Sequence, residues 1–478
     1  MDSNKKRLIK QGASAVCFCL LLILLLKYVY GVFAWKDGAG AYITPVPTFY
    51  ELDKDTVDVL FLGSSHCYCA VRNAQLWDSY GMATYSLAIS GQDLAASYYW
   101  LEEALKTQTP KVVCLEVYGV DFHGYEDQGN LYRNVLPYRI SGDYANMLRD
   151  IVGGDEEKDI FMKWPILHTR YTELQRQDFP GETPLFIGYR AEFHAEAIDW
   201  RANGLHAYEG NEVMPIEEAE ETWLRKIIET ARENRIELCF FAAPFAATDE
   251  EQMKFNRVKQ IAEEEEIPFI NTIADHEKLG LIADVDFIDW AHTNIWGAQK
   301  VTAYLGEFLA GNYDLPDHRG DKKYEMWDRD SVIRAHELQD YQLQQYTDLQ
   351  SVLAFAAGCT DYTVVIATSG EYLREDVYLE DKLESLGICD AFYESGGTWV
   401  IADRELLLER TQEAFNWYGD KNGADLVLAG DQNGRIVMVN QENCIRVENG
   451  INIAFYDNAT NTLIAMGFDT LNGYACVR

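Results

Sequence analysis

The run VDVLFLGSSH, residues 57–66, decides the fold. Its first six positions are β-branched or apolar apart from Asp58, and Gly63 ends them. That pattern predicts a strand buried on both faces and running into a tight turn. Working outward, KVVCLEVYG (111–119, introduced by Pro110), IELCFFAAP (236–244) and IPFINT (267–272) read the same way. Between and after them, residues 91–106, 216–234, 249–265 and the stretch following Asn294 carry helical patterning. Continuous apolar strands alternating with helices predict an α/β domain, a parallel sheet covered on both faces. Such sheets carry their chemistry at the carboxyl ends of the strands. Residues 122–215 are aromatic-rich and resolve only into mixed helix and loop.

The chain has 478 residues, with 41 Lys+Arg against 77 Asp+Glu and a formal net charge of −36. Its 48% hydrophobic and 13% aromatic content excludes wholesale disorder. The charge argues against nucleic acid as a partner, since phosphate binding needs clustered cations. One segment is apolar enough to span a bilayer. After Lys5, Lys6, Arg7 and Lys10, residues 13–35 are dominated by ASAVCFCLLLILLL and YVYGVFAW, interrupted by Lys27. Tyr28, Tyr30 and Trp35 suit an interfacial aromatic belt, and the basic flank predicts a cytoplasmic N-terminus with the bulk of the chain outside the cell membrane. The competing reading is a cleaved signal peptide ending at Val32-Phe33-Ala34. The expected organisation is a basic tail (1–12), a signal anchor (13–35), a stalk (36–56), the α/β domain (57–311), a linker and long helix (312–357) and a small α+β domain (358–478).

Of ten cysteines, Cys17 and Cys19 fall in the anchor, and Cys67, Cys69, Cys114 and Cys239 in or beside apolar runs. Cys359, Cys389, Cys444 and Cys476 form an even set open to pairing in an exported domain. No CxxC occurs, and neither a metal nor a cofactor is indicated.

Two short patterns carry chemistry. Ser65 stands on the turn after the first strand, where a nucleophile would be exposed with backbone N–H groups close by; the bland alternative is an ordinary Ser/Gly turn. Asp289-Trp290-Ala291-His292 spaces a carboxylate three residues before an imidazole, which lets the acid fix the tautomer while the other ring nitrogen takes a serine proton. Its bland alternative is an N-cap Asp beside a solvent-facing His. Their pairing within one α/β domain favours the chemical reading.

Together these stretches resemble the SGNH (GDSL-type) hydrolases over residues 57–309. FLGSSH is similar to the family's first block, with Ser64 where Asp usually stands and Ser65 as nucleophile. YSLAISGQD (85–93) resembles the second block, whose glycine is Gly91, and FIDWAHTNIWGAQK (287–300) the last. The resemblance implies a three-layer α/β/α flavodoxin-like fold, a Ser65–His292–Asp289 triad, and an oxyanion hole from the N–H groups of Ser65 and Gly91 with help from Gln92. The branch most similar is the membrane-anchored set related to the teichoic-acid D-alanylation and alginate acetylation proteins. One departure stands out: the third-block Asn is missing, and Glu116 and Tyr118 occupy the end of the corresponding strand. His66, Glu116, His168 and Arg170 are further candidates to line the substrate; the competing readings are a structural role for His66 and Glu116, and ion pairing for His168 and Arg170, and for Glu116, His168 and Arg170 the competing reading is the favoured one.

GINIAFYDNATNTLIAMGFDT (450–470), with YTVVIATSGEYLREDVYLEDKLESLGI (362–388), resembles the interleukin-like EMT inducer (PANDER-like) domain, which implies glycan or protein binding. The expected function is an extracytoplasmic acyl esterase or O-acyltransferase acting on small acyl esters of a cell-envelope glycan or teichoic-acid-like polymer, with a membrane acyltransferase as a candidate partner. The alternative is a catalytically silent scaffold or glycan-binding protein of a surface-polymer assembly.

Overall fold

The computed structural model describes residues 3–34, 44–122, 125, 127–174, 178–179, 185–196, 204–373, 378–411, 414–431 and 434–478. The chain divides into two units, Met1–Ser331 and Val332–Arg478.

The first unit is built on a parallel sheet of β1 (Val59–Gly63), β2 (Thr84–Ala88), β3 (Val112–Glu116), β4 (Glu237–Ala242) and β5 (Phe269–Asn271), in the order β2-β1-β3-β4-β5. This is the doubly wound order whose strand ends make a crevice at the switch point. The continuous apolar runs are explained by two cores. Leu60, Leu62, Val113, Leu115, Tyr85, Leu87 and Phe240 face one, closed by helices Leu94–Ala104, Glu218–Glu233 and Asp249–Glu264. Val59, Phe61, Val112, Cys114, Cys239 and Phe241 face the other, closed by helices Ser65–Ala70, Asn73–Tyr80 and Ile295–Asn312. Because side chains alternate along a strand, only apolar residues at every position satisfy both layers. The last strand is shorter than IPFINT suggests, running only Phe269–Asn271; Thr272 just beyond it still donates both its N–H and its hydroxyl to Ala242 O.

The N-terminal helix runs Ser3–Phe33, and Lys10–Phe33 is long and apolar enough to cross a membrane. Trp35 and residues 36–43 lie outside the described residues. The rest of the expected stalk is part of the folded unit. Val46 and Phe49, on helix Val46–Glu51, are buried in the first core, and the Tyr85 hydroxyl donates to Pro45 O at 2.6 Å. An extended strap, residues 185–196, crosses the edge of β2. Ser86 N donates to Ile187 O, Arg190 N to Tyr68 O and Ile295 N to Glu192 O.

The second unit holds β6 (Tyr362–Ser369), β7 (Thr398–Ala402), β8 (Glu405–Arg410), β9 (Phe415–Lys421), β10 (Ala424–Asp431), β11 (Gly434–Val439), β12 (Glu442–Asn443), β13 (Gly450–Asp457), β14 (Leu463–Asp469) and β15 (Ala475–Val477). They form antiparallel sheets ordered β15-β14-β13-β6-β7-β8 and β12-β11-β10-β9. The long helix read over 325–357 is two, Glu325–Gln345 and Leu349–Gly358. The second starts where the Asp348 side chain accepts from Ser351 N. The four C-terminal cysteines are not paired; all ten cysteines are free thiols.

Candidate active site

The turn that carries Ser65 is set by the closeness of β1 and β3. Gly63 has φ +150°, and a Cβ there would stand 2.5 Å from Glu116 Cβ, so the position needs glycine. Ser64 is extended and caps helix Ser65–Ala70, its Oγ accepting from His66 N at 3.3 Å. Ser65 is thereby the first helical residue at the carboxyl edge of the sheet.

Opposite it, Ile288 N donates to His292 O, closing a tight loop, and Asn294 caps helix Ile295–Asn312. The Thr293 hydroxyl ties this loop to Cys69 O at 2.8 Å. Asp289 builds the loop and holds its histidine. Oδ1 accepts from Ala291 N at 2.7 Å and His292 N at 2.8 Å, and both carboxylate oxygens lie 2.9 Å from His292 Nδ1. Burial acts to raise the Asp289 pKa, but the His292 ring and these backbone N–H groups outweigh it and hold the carboxyl below its ordinary value. An ionised Asp289 fixes the proton on Nδ1 and leaves Nε2 as an acceptor. Nε2 stands 2.8 Å from Ser65 Oγ. Residues 227 positions apart in sequence therefore form a continuous Ser65–His292–Asp289 chain.

Glu116 is turned away from any developing oxyanion. Its Oε2 accepts from the Ser64 hydroxyl at 3.1 Å and its Oε1 from Tyr118 N at 2.8 Å, so it braces the turn rather than lining the substrate. Burial pushes its pKa up to about 7 against the pull of these donors. His66 is also buried. Its ring lies 3.8 Å from the Tyr118 ring and 5.2 Å from that of His292, with Nδ1 3.2 Å from Ser64 Oγ. Burial, reinforced by His292, holds its pKa well below that of a free imidazole. It is a neutral wall beside the His292 ring.

The second loop enters where Ile89 N donates to Gly63 O at 3.1 Å. Gly91 has φ +65°, and a Cβ there would fall 2.8 Å from Nδ2 of Asn130. Gln92 is not placed as an oxyanion donor. Its backbone N–H goes to Ile89 O and its Nε2 to Ser97 Oγ at 3.0 Å. Asn130, which nothing in the sequence singled out, is brought against Gly91. It sits on helix Gln128–Val135, with Oδ1 fixed by the Ser90 hydroxyl (3.2 Å) and Arg133 Nη1 (2.8 Å). Those two contacts hold its carboxamide against Gly91. The only local signal was Asp127, the cap that starts this helix.

Arg170 and His168 do not join this group. Arg170 is spent on Asp178 and on the carbonyls of Phe33 and Ala34, and His168 Nδ1 lies 3.0 Å from Trp164 O. Among the described residues no cluster of three His, Cys, Asp or Glu side chains is arranged to hold a metal.

No family model matches the chain, and no curated protein matches it. Solved structures it is similar to include a GDSL-like lipase from Bacteroides thetaiotaomicron, at 11% identity over 56% of this chain and 96% of that one, TM-score 0.30. An acetyl xylan esterase matches at 12% identity over 52% and 98%, TM-score 0.27. A variant of an acetyl-xylooligosaccharide esterase from Geobacillus stearmophilus matches at 14% identity over 55% and 97%, TM-score 0.26. At such TM-scores these likenesses decide nothing about the reaction, and the case for it rests on the geometry of this chain.

Proposed function

We propose that the protein is a serine acyl ester hydrolase or O-acyltransferase. The observation that carries this is the 2.8 Å contact between Ser65 Oγ and His292 Nε2, with Asp289 on the far side of the ring. His292 takes the hydroxyl proton as Ser65 Oγ adds to the acyl carbonyl, and Asp289 stabilises the imidazolium that forms. The Ser65 and Gly91 N–H groups and the Asn130 carboxamide receive the oxyanion. Collapse expels the alcohol, which regains the proton from His292. Attack on the acyl-enzyme by water completes hydrolysis; attack by a glycan hydroxyl completes transfer.

The substrate proposed is a small acyl ester on a cell-envelope glycan or teichoic-acid-like polymer. The N-terminal helix would hold the enzyme at the outer face of the cell membrane, and a membrane acyltransferase is its proposed partner. The excess of acidic residues favours a neutral glycan. The scaffold alternative draws support from the missing third-block Asn and from the binding-type terminal domain; an amide at Asn130 beside Gly91 answers the first of these.

The test is p-nitrophenyl acetate turnover by the full chain in detergent micelles, with the alcohol burst followed in a single turnover. Loss of the burst in both Ser65→Ala and His292→Ala is the expected result. A burst unchanged in both would end the assignment.

A further inference from the structure

Residues 157–174 and 178–179 of the first unit bury Ile160 and Leu167 in the ordinary way, but they also expose five large apolar side chains and bury two cations. Helix Glu157–Met162 is followed by the turns Trp164–Leu167 and His168–Thr172. Met162 and Tyr171 are 66% and 69% exposed, and Phe161, Trp164 and Phe179 are exposed with them. Lys163 and Arg170 are only 3% and 7% exposed. In water the opposite arrangement is expected, with cations solvated and aromatic rings packed. Here each cation is held inward by specific partners. Lys163, at φ +57°, donates to Tyr138 O and lies over the Tyr144 ring at 4.8 Å. Burial lowers its pKa to about 8. Arg170 pairs with Asp178 at 2.9 Å and donates to Phe33 O and Ala34 O at 2.7 Å each.

These contacts place the surface at the mouth of the apolar helix. Arg170 satisfies the carbonyl of Phe33, the last residue of helix Ser3–Phe33, and that of Ala34 just beyond it, and Trp164 packs edge-on against Phe33 at 5.3 Å. Helix Lys10–Phe33 has 24 residues, about 36 Å at roughly 1.5 Å per residue, against a hydrocarbon core of about 30 Å. Its C-terminal end is thus level with the headgroup boundary, the depth Trp and Tyr prefer. Trp164 and Arg170 thus tie this exposed apolar group to the end of the helix.

We propose that Phe161, Met162, Trp164, Tyr171 and Phe179 form a membrane seat, resting in the interfacial layer of the bilayer and holding the first unit against it. The partner is a lipid surface. The seat depends on the helix being a retained span, and not at all on the Ser65 chemistry. Burying these rings would clamp the unit to the membrane rather than leave it on a free tether.

The test uses the full chain in vesicles of phosphatidylcholine with a minority of phosphatidylglycerol. Photoreactive benzoylphenylalanine replaces, one at a time, Tyr171, Phe179, Leu22 in the span, and Ile282, an exposed apolar residue on the loop before helix Ile295–Asn312. All four side chains are exposed, so the replacements leave the packed core intact. Lipid adducts at Leu22, Tyr171 and Phe179 with none at Ile282 are expected. Adducts at Leu22 alone, or protein adducts in place of lipid at Tyr171 and Phe179, overturn the seat. No lipid adduct at Leu22 overturns the span and the seat with it.

Discussion

The hydroxyl of Ser64, one residue before Ser65, donates to Oε2 of Glu116 at 3.1 Å, so a buried carboxyl on β3 sets the turn that presents the nucleophile. That arrangement makes the turn sensitive to the ionisation of Glu116. Burial raises its pKa from 4.5 to about 7. The folded state therefore favours the proton more than the unfolded chain does. The cost of folding a charged Glu116 is absent below about pH 4.5, grows as pH rises, and is complete above about pH 7. The gap between those values corresponds to on the order of 3 kcal/mol. Denaturant unfolding at pH 5 and pH 8 should show wild type losing stability between the two, and Glu116→Gln losing less. Asp93 and Glu220 are also raised by burial, so the quantity to read is the difference between the two proteins. Equal losses would mean that Glu116 is not the buried acid inferred.

For the triad itself, Ser65→Ala and His292→Ala should each remove ester turnover to background, and combining them should cost nothing further, because the two act as one unit. Asp289→Asn should lower kcat by roughly 10²–10⁴-fold, through loss of the tautomer lock. Its loop should survive, because Oδ1 also accepts from Ala291 N and His292 N and an amide oxygen can do the same. Steady-state kinetics with p-nitrophenyl acetate, alongside thermal melts, separate these effects. Wild-type kcat in Asp289→Asn would remove Asp289 from the mechanism.

Much of this was legible in the chain. The runs at Val59, Val112 and Glu237 announced a two-sided parallel sheet because every position must be apolar when both faces are covered. Ser65, Asp289 and His292 were legible because their spacing is fixed by local turns: the glycine before the nucleophile pair, and the Asp three residues before its His. What stayed hidden depends on contacts between distant segments. Asn130 lies in an aromatic insert without periodicity, and only its contact with Gly91 gives it a role. Arg170 is expected to form ion pairs rather than meet substrate, and it does pair with Asp178; that it also holds the end of a helix more than 130 residues earlier was not legible. Glu116 reads as more structural than substrate-lining, but its partner Ser64 stayed hidden because the direction of its side chain is not written in the strand.

The strap across β2 gives a purely structural prediction. Gly188 has φ +96°, and a Cβ there would lie 1.9 Å from the backbone oxygen of Ser86, a neighbour that cannot rotate away. Gly188→Ala must therefore displace the strap or the edge strand, at a cost of more than about 2 kcal/mol, combining backbone strain with the clash. A marked drop in melting temperature is expected. Activity should fall too, because the strap continues through Arg190 N on Tyr68 O to Glu192 O at the start of helix Ile295–Asn312. An unchanged melt would show that the strap is not packed on β2 as described.

Asn130 offers the sharpest test of how the oxyanion is held. Its Oδ1 is engaged by Ser90 and Arg133, which leaves the amide nitrogen as the end set against Gly91. A donor that meets the oxygen only once it carries charge stabilises the transition state more than the bound ester. Asn130→Ala should therefore lower kcat by about 10²–10³-fold and change KM only slightly. A residue that merely supported the loop would behave differently, raising KM and lowering the melting temperature together. Asn130→Asp sharpens the contrast: it keeps the acceptor for Ser90 and Arg133 but sets a carboxylate oxygen where the donor was. Its melting temperature should stay near wild type while kcat falls at least as far as in Asn130→Ala. Recovery of wild-type kcat in the Asp variant would show that the amide nitrogen plays no part, leaving the hole to the backbone N–H groups of Ser65 and Gly91.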